Sequence, residues 1–116
     1  MFTNVGEDLT TDLWDGTISA PANWYIGSGT GAVAAAKGDT TLGVEVESRV
    51  AAVDSQPVSN QNRHVSTITY TGALTITEAG LFDAATVGNM PVREVFAGIG
   101  VNASDKIEFT FDIDTA

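Results

Sequence analysis

The sequence predicts an all-β protein: an antiparallel β-sandwich or jelly-roll-like barrel of about seven or eight short strands with little helix. Three observations predict it. In the last strand Ile107, Phe109, Phe111 and Ile113 fall on one face, while Lys106, Glu108, Thr110, Asp112 and Asp114 fall on the other. That strict period of two means one face in a core and one in water or at a polar contact. Burying four such side chains is worth roughly 6 to 12 kcal/mol gross, before ordering entropy is subtracted. Short β-branched and aromatic runs recur along the chain between glycine and turn signals. No apolar pattern of helical period supports a helix longer than two turns.

The remaining strands gather around Ile76-Thr77-Glu78-Ala79-Gly80-Leu81-Phe82-Asp83, read as the central strand. Leu81 and Phe82 call for burial, whereas Glu78 and Asp83 do not, and Gly80 allows a bulge or a close backbone approach. At the N-terminal end, Leu9 and Leu13 stand four apart beside Trp14, consistent with one short helical turn begun at Asp8 or Thr10. Asp15-Gly16 signals a turn. Residues 1–21 read as an N-terminal arm and 22–116 as a single β domain, a size that suits one core rather than two. Asn23 to Ile26 is a short strand leading into Gly27-Ser28-Gly29-Thr30-Gly31, read as a mobile surface loop and a candidate interaction edge. The G-x-G-x-x-A pattern there imitates a dinucleotide fingerprint, but Gly38 stops the following helix and no βαβ unit follows. Asp39-Thr40-Thr41-Leu42 is placed to cap one turn, with Glu45 favouring its start. Val44, Val46 and Val50 alternate with Glu45, Glu47 and Arg49, giving a strand over 44–51. Residues 54–63 are the most polar stretch and read as a long exposed loop. Strands are expected at 64–71, continuing from 73 into the central stretch, then at 90–97 and, separately, at 99–101, with turns at 84–89 and 102–105.

Composition narrows the function. Five Lys and Arg stand against fifteen Asp and Glu, a net charge of −10, so the surface repels phosphate backbones and anionic lipid; neither nucleic acid nor a membrane is an expected partner. The absence of cysteine removes disulfides, thiolate catalysis and Cys-ligated zinc. No run approaches the ~18 apolar residues of a membrane span, and no cleavable signal pattern opens the chain, so folding in a cytoplasm is expected. The single histidine, His64, lacks the constellation of a triad and reads as a loop-end residue. Glu45 with Glu47, and Asp112 with Asp114, are spaced about 7 Å apart along strand faces, compatible with a carboxylate pair but also with any solvated acidic face. Asp83, Asp105, Asp112 and Asp114 have oxygen chemistry suited to calcium without forming a contiguous calcium loop. Asn102-Ala103-Ser104 matches a glycosylation acceptor only formally. No cofactor, metal or catalytic residue is assigned.

The order of motifs adds a resemblance. Trp24-Tyr25-Ile26-Gly27-Ser28-Gly29-Thr30-Gly31, Asp39-Thr40-Thr41-Leu42 followed by Glu45, Ile76 to Asp83, Val92-Arg93 with Phe96, and Ser104 to Ile113 together resemble small structural proteins of tailed-bacteriophage virions, over residues 22–113. The resemblance implies a non-enzymatic virion component, assembled in the host bacterial cytoplasm. The leading expectation is a capsid decoration or cement protein holding the major capsid protein lattice as an oligomer, with a trimer favoured; the alternative is a tail-fibre or baseplate adaptor domain contacting tail proteins or host glycan. Many weak contacts repeated by symmetry would supply the hold. Trp14, Gly29, Thr30, Gln56, Asn60, Asn62 and Arg63 are the candidate contact residues.

Overall fold

The computed structural model describes residues 1–114. A helix α1 (Asn4–Asp15) precedes seven strands: β1 (Tyr25–Gly29), β2 (Glu45–Ala51), β3 (Val53–Ser55), β4 (Gln61–Thr69), β5 (Leu74–Phe82), β6 (Val92–Val101) and β7 (Lys106–Asp114). They form two antiparallel sheets, one of order β2-β1-β5-β6 and one of order β3-β4-β7. The expected β-sandwich is therefore the fold. β7 alternates as its sequence dictates, with Phe109 and Phe111 in the core beside Ile26, Ile68, Tyr70, Ile76, Leu81 and Val92.

β5 lies between β1 and β6 and is the central strand. It is buried on both faces. Ile76, Ala79 and Leu81 enter the main core, while Phe82 joins Leu42 and Met90 in a second cluster. Ile76 and Ala79 share the core although they are three apart, because the register with β6 shifts between Ile76 and Glu78. That shift turns Glu78 away from the main core, under the segment 30–44. Gly80 serves close packing: a Cβ there would press on Met90 and Leu42.

Several expectations are corrected. Residues 4–15 form a full helix, longer than the single turn read from Leu9 and Leu13. Its start is Thr3, whose hydroxyl accepts the Gly6 N–H (3.1 Å) while donating to Met90 O (2.7 Å). Gly16, in the left-handed region (φ 74°), closes it. Only Gly6 and Leu9 of α1 are fully buried; Val5 and Leu13 are half-buried, so the apolar stripe of the helix is narrow, and the Thr3 cap fixes its start. Gly27, Ser28 and Gly29 are buried strand residues, not part of a surface loop. The polar stretch 54–63 is mostly hairpin: β3 and the start of β4 flank a connection of only 56–60. Polar residues on both faces of such a peripheral hairpin conceal its period. The strands expected at 90–97 and 99–101 are one strand, β6 (Val92–Val101), whose Phe96, Ala97 and Gly98 bulge opposite Thr77. Asp39 caps no helix. It accepts the Ala36 N–H instead (2.8 Å).

The two sides of the sandwich differ. On one, β2 passes into β3 through Ala52 alone, so the chain itself carries one sheet into the other. On the opposite side β6 and β7 are the edges of their sheets and are not paired with each other.

Candidate functional site

Two features stand out: a buried polar clasp on β5 and the open side between β6 and β7. The clasp centres on Glu78, which is 0% exposed. Its carboxylate accepts the N–H groups of Gly31, Gly43 and Val44, each at 2.8 Å. Arg93, on the neighbouring strand β6 opposite Gly80 and itself 3% exposed, reaches diagonally to donate Nε and Nη2 to Glu78 Oε1 (3.1 and 3.0 Å). The same guanidinium donates to Asp39 Oδ2 (2.8 Å) and Val33 O (3.0 Å). Thr77 Oγ1 donates to Gly31 O (2.7 Å). One acid and one base thereby pin the segment 30–44 to the sheet. Burial alone pushes the Glu78 carboxyl up, but the N–H groups of Val44, Gly43 and Gly31 together with Arg93 outweigh it and hold it below its ordinary 4.5. Asp39 is likewise held low, first by the Ala36 N–H and then by Arg93. The burial of Glu78 departs from the sequence expectation that it does not call for burial. The signal that locates it is the group of glycines around it: a Cβ on Gly29 would come within 2.5 Å of Glu78 Oε2, and one on Gly31 would collide with the same oxygen.

The other candidate chemistry resolves into structural contacts. Glu45 pairs with Arg49 (2.9 and 3.1 Å), whose guanidinium lies 3.4 Å over the Phe82 ring and also donates to Ala84 O and Val87 O. Glu47, in the left-handed region at a bulge in β2, accepts from the N–H and hydroxyl of Thr71. Asp112 forms a two-pronged pair with Arg63 (2.7 and 3.1 Å), and Asp114 accepts from Gln61 (2.9 Å). Asp83 and Asp105 cap turns through the N–H groups of Asn89 and Asn102. Among the described residues no group of three acids or histidines is placed to hold a metal ion. His64 is a buried residue of β4, not a loop end; its Nδ1 lies 2.5 Å from Asp54 Oδ1 and its ring meets Trp24 edge-on. Ser66, two residues along, has a buried hydroxyl without a hydrogen-bond partner, so serine and histidine are not joined as nucleophile and base. Among the described residues no helix is long and apolar enough to cross a membrane.

On the open side, a cleft of about 290 Å³ runs between β6 and β7, lined chiefly by Val92, Phe96, Phe109, Phe111 and Ile113. A second hollow of about 430 Å³ continues it past Phe2 and Trp14, and a third of about 260 Å³ lies under α1 against Trp24, His64 and Leu81. Trp14 is 78% exposed. Residues Met1 to Thr3 pair with the beginning of the β6 edge: Phe2 bridges Val92, Arg93 N–H donates to Met1 O, and Thr3 N–H donates to Pro91 O.

The candidate contact residues divide. Trp14 and Asn62 line the same hollow under α1, and Arg63 holds Asp112, which lines the adjoining one. Gln56 and Asn60 are exposed on the β3–β4 connection, where Gln56 donates to Ser59 O. Gly29 is buried and Thr30 half-buried beside the clasp, away from this group.

A search of curated proteins finds no match to the chain. The model of the family described as "Podophage GP4 fiber I protein gp80" matches residues 7–113. The chain belongs to this family and is a structural protein of a tailed-phage virion.

Proposed function

We propose that this member of the podophage fiber I family is a building unit of the fibre, a rigid β-sandwich that acts by contact with neighbouring virion proteins and not by catalysis. The observation that carries this reading is the combination in one body of internally engaged charges and an open apolar side. Glu78, Arg93 and Asp39 serve cohesion, whereas Phe2, Trp14 and the cleft between β6 and β7 present apolar surface on a molecule 44 Å long. An apolar cleft open to one side beside an exposed tryptophan is a surface a neighbouring protein can cover. The family's description as a fibre protein supports this reading. Within this reading Trp14, Gln56, Asn60, Asn62 and Arg63 contribute contacts, and Gly29 and Thr30 act internally by shaping the pocket around Glu78. Residues 1–21 work as an arm whose first three residues are anchored on β6.

The test is to quantify the chain in purified particles and to locate it with gold-labelled antibody. Label on the fibres, in copy number matching them, is expected. Label spread over the head in numbers matching the shell lattice would overturn the fibre assignment, and absence from particles would overturn the virion role.

A further inference from the structure

We propose that the open side is a strand-acceptor site. An extended segment of a neighbouring virion protein, apolar at alternate positions and carrying Lys or Arg between them, pairs with the free edge of β7 and sets its apolar side chains into the cleft facing β6. The proposal rests on the fibre-unit reading and names the kind of partner that reading requires.

Four observations point to this occupant. First, the sheet β3-β4-β7 has one strand fewer than the sheet it faces, and the gap falls on the side that the chain does not close itself. Second, β7 pairs with β4 through an unbroken register from Lys106 to Asp114, so its outer edge is regular. A regular edge with unpaired backbone groups accepts an added strand, with main-chain hydrogen bonds giving affinity and alternate side chains giving specificity. The β6 edge is less suited, since it bulges at 96–98 and its start is taken by Met1 to Thr3. Third, the cleft inside β7 is lined by Val92, Phe96, Phe109, Phe111 and Ile113, a fit for every second side chain of an extended segment.

The fourth observation is charge, and it decides between partners. The outward positions of β7 are Lys106, Glu108, Thr110, Asp112 and Asp114, and Glu94 stands on the opposite rim of the cleft. Arg63 answers Asp112 and the terminal amine answers Glu94, but the rims remain acidic in sum. A second copy adding its own β7 antiparallel about Thr110 would pair Lys106 with Asp114 but set Glu108 opposite Asp112, three acids against one lysine on each strand, on molecules each carrying −10. Like charges directly opposite destabilise strand pairs, and opposite charges stabilise them. A basic alternating segment fits where a second copy does not.

The experiment titrates the whole protein with a peptide alternating valine and lysine, against an isomer with the valines and lysines in separate blocks and against a valine–glutamate peptide. Binding is followed by NMR and amide hydrogen exchange. The alternating basic peptide is expected to bind about tenfold tighter than its blocked isomer, with protection along β7 and shift changes at Phe109, Phe111 and Ile113. Glu94→Lys combined with Glu108→Lys, both at exposed positions, is expected to weaken binding by about tenfold with the melting temperature held. Equal affinity of the two basic isomers would reduce the effect to net charge and overturn the proposal. So would preference for the acidic peptide, protection confined to other strands, or a symmetric dimer formed through β7. Because the readout is binding to the isolated protein, failure here leaves the location of the chain in the particle untouched, and a location away from the fibre leaves this binding intact.

Discussion

Removing the Glu78 carboxylate should be among the most damaging changes this fold can suffer. Glu78→Ala deletes the acceptor for the Gly31, Gly43 and Val44 N–H groups and leaves Arg93, 3% exposed, with only Asp39 and Val33 O as partners. Breaking a buried ion pair from one side costs about 3–5 kcal/mol; Arg93 keeps Asp39, but three backbone N–H groups lose their acceptor as well. For a domain whose total stability is on the order of 5–15 kcal/mol that is a large share. At roughly 4 °C per kcal/mol for a chain of this size, the melting temperature should fall by about 12–20 °C. Glu78→Gln keeps the shape but turns an amide NH₂ toward backbone donors, so it should recover only a minor part of the loss. Glu108→Ala, at an exposed position of β7, should stay within about 0.5 kcal/mol of the parent. Thermal and urea unfolding followed by circular dichroism read all three. If Glu78→Ala melts within about 3 °C of the parent, less than ~1 kcal/mol is at stake and the clasp does not hold the segment 30–44 to the sheet.

Other outcomes follow from the same contacts. Gly31→Ala drives a methyl group into Glu78 Oε2 and should destabilise by about 1–3 kcal/mol, whereas Gly38→Ala, with open space around it, should melt with the parent. Stability should depend on acid in a definite direction. Glu78 and Asp39 are both held below their ordinary values of 4.5 and 3.8, so the unfolded chain takes up these protons first. Their contribution is complete well above pH 4.5 and is lost as pH falls through and below that range; urea midpoints measured from pH 7 to pH 3 should drop, and drop less steeply in Glu78→Gln. Arg49→Ala removes the group that stacks on Phe82 and holds Ala84 O and Val87 O, so amides of residues 84–89 should exchange faster while β7 is unchanged. Trp14→Ala, at a position 78% exposed, should leave the melting temperature within about 2 °C but lower incorporation of the chain into particles.

The legible parts of this fold were those where burial and periodicity agree. β7 could be read directly, since every second residue from Ile107 to Ile113 is apolar, and so could the central position of β5, from Leu81 and Phe82. The full length of the helix was hidden for a physical reason: its apolar stripe is only Val5, Leu9 and Leu13, interrupted by Gly6 and Thr10, and its start is fixed by the Thr3 cap. The clasp was hidden because a glutamate is ordinarily an exterior residue, and its burial depends on partners far apart in the chain, Gly31, Gly43, Val44 and Arg93. Yet the motif pieces that carried the virion resemblance, Gly29 to Gly31, Asp39, Glu78 and Arg93, are the very residues that meet in the clasp. They look like recognition motifs in the sequence and act as a structural device in the fold. The open side was not legible at all, since it depends on which strand edges the topology leaves unpaired.

The most direct test of the central claim is a cryo-electron microscopy reconstruction of the intact particle that resolves this chain. The account expects it in the fibre, with the side between β6 and β7 covered by a neighbouring protein and the Glu78–Arg93 pair intact in its interior. A chain placed in the particle with that side facing solvent, and joined to its neighbours through the β2–β3 side instead, would contradict it.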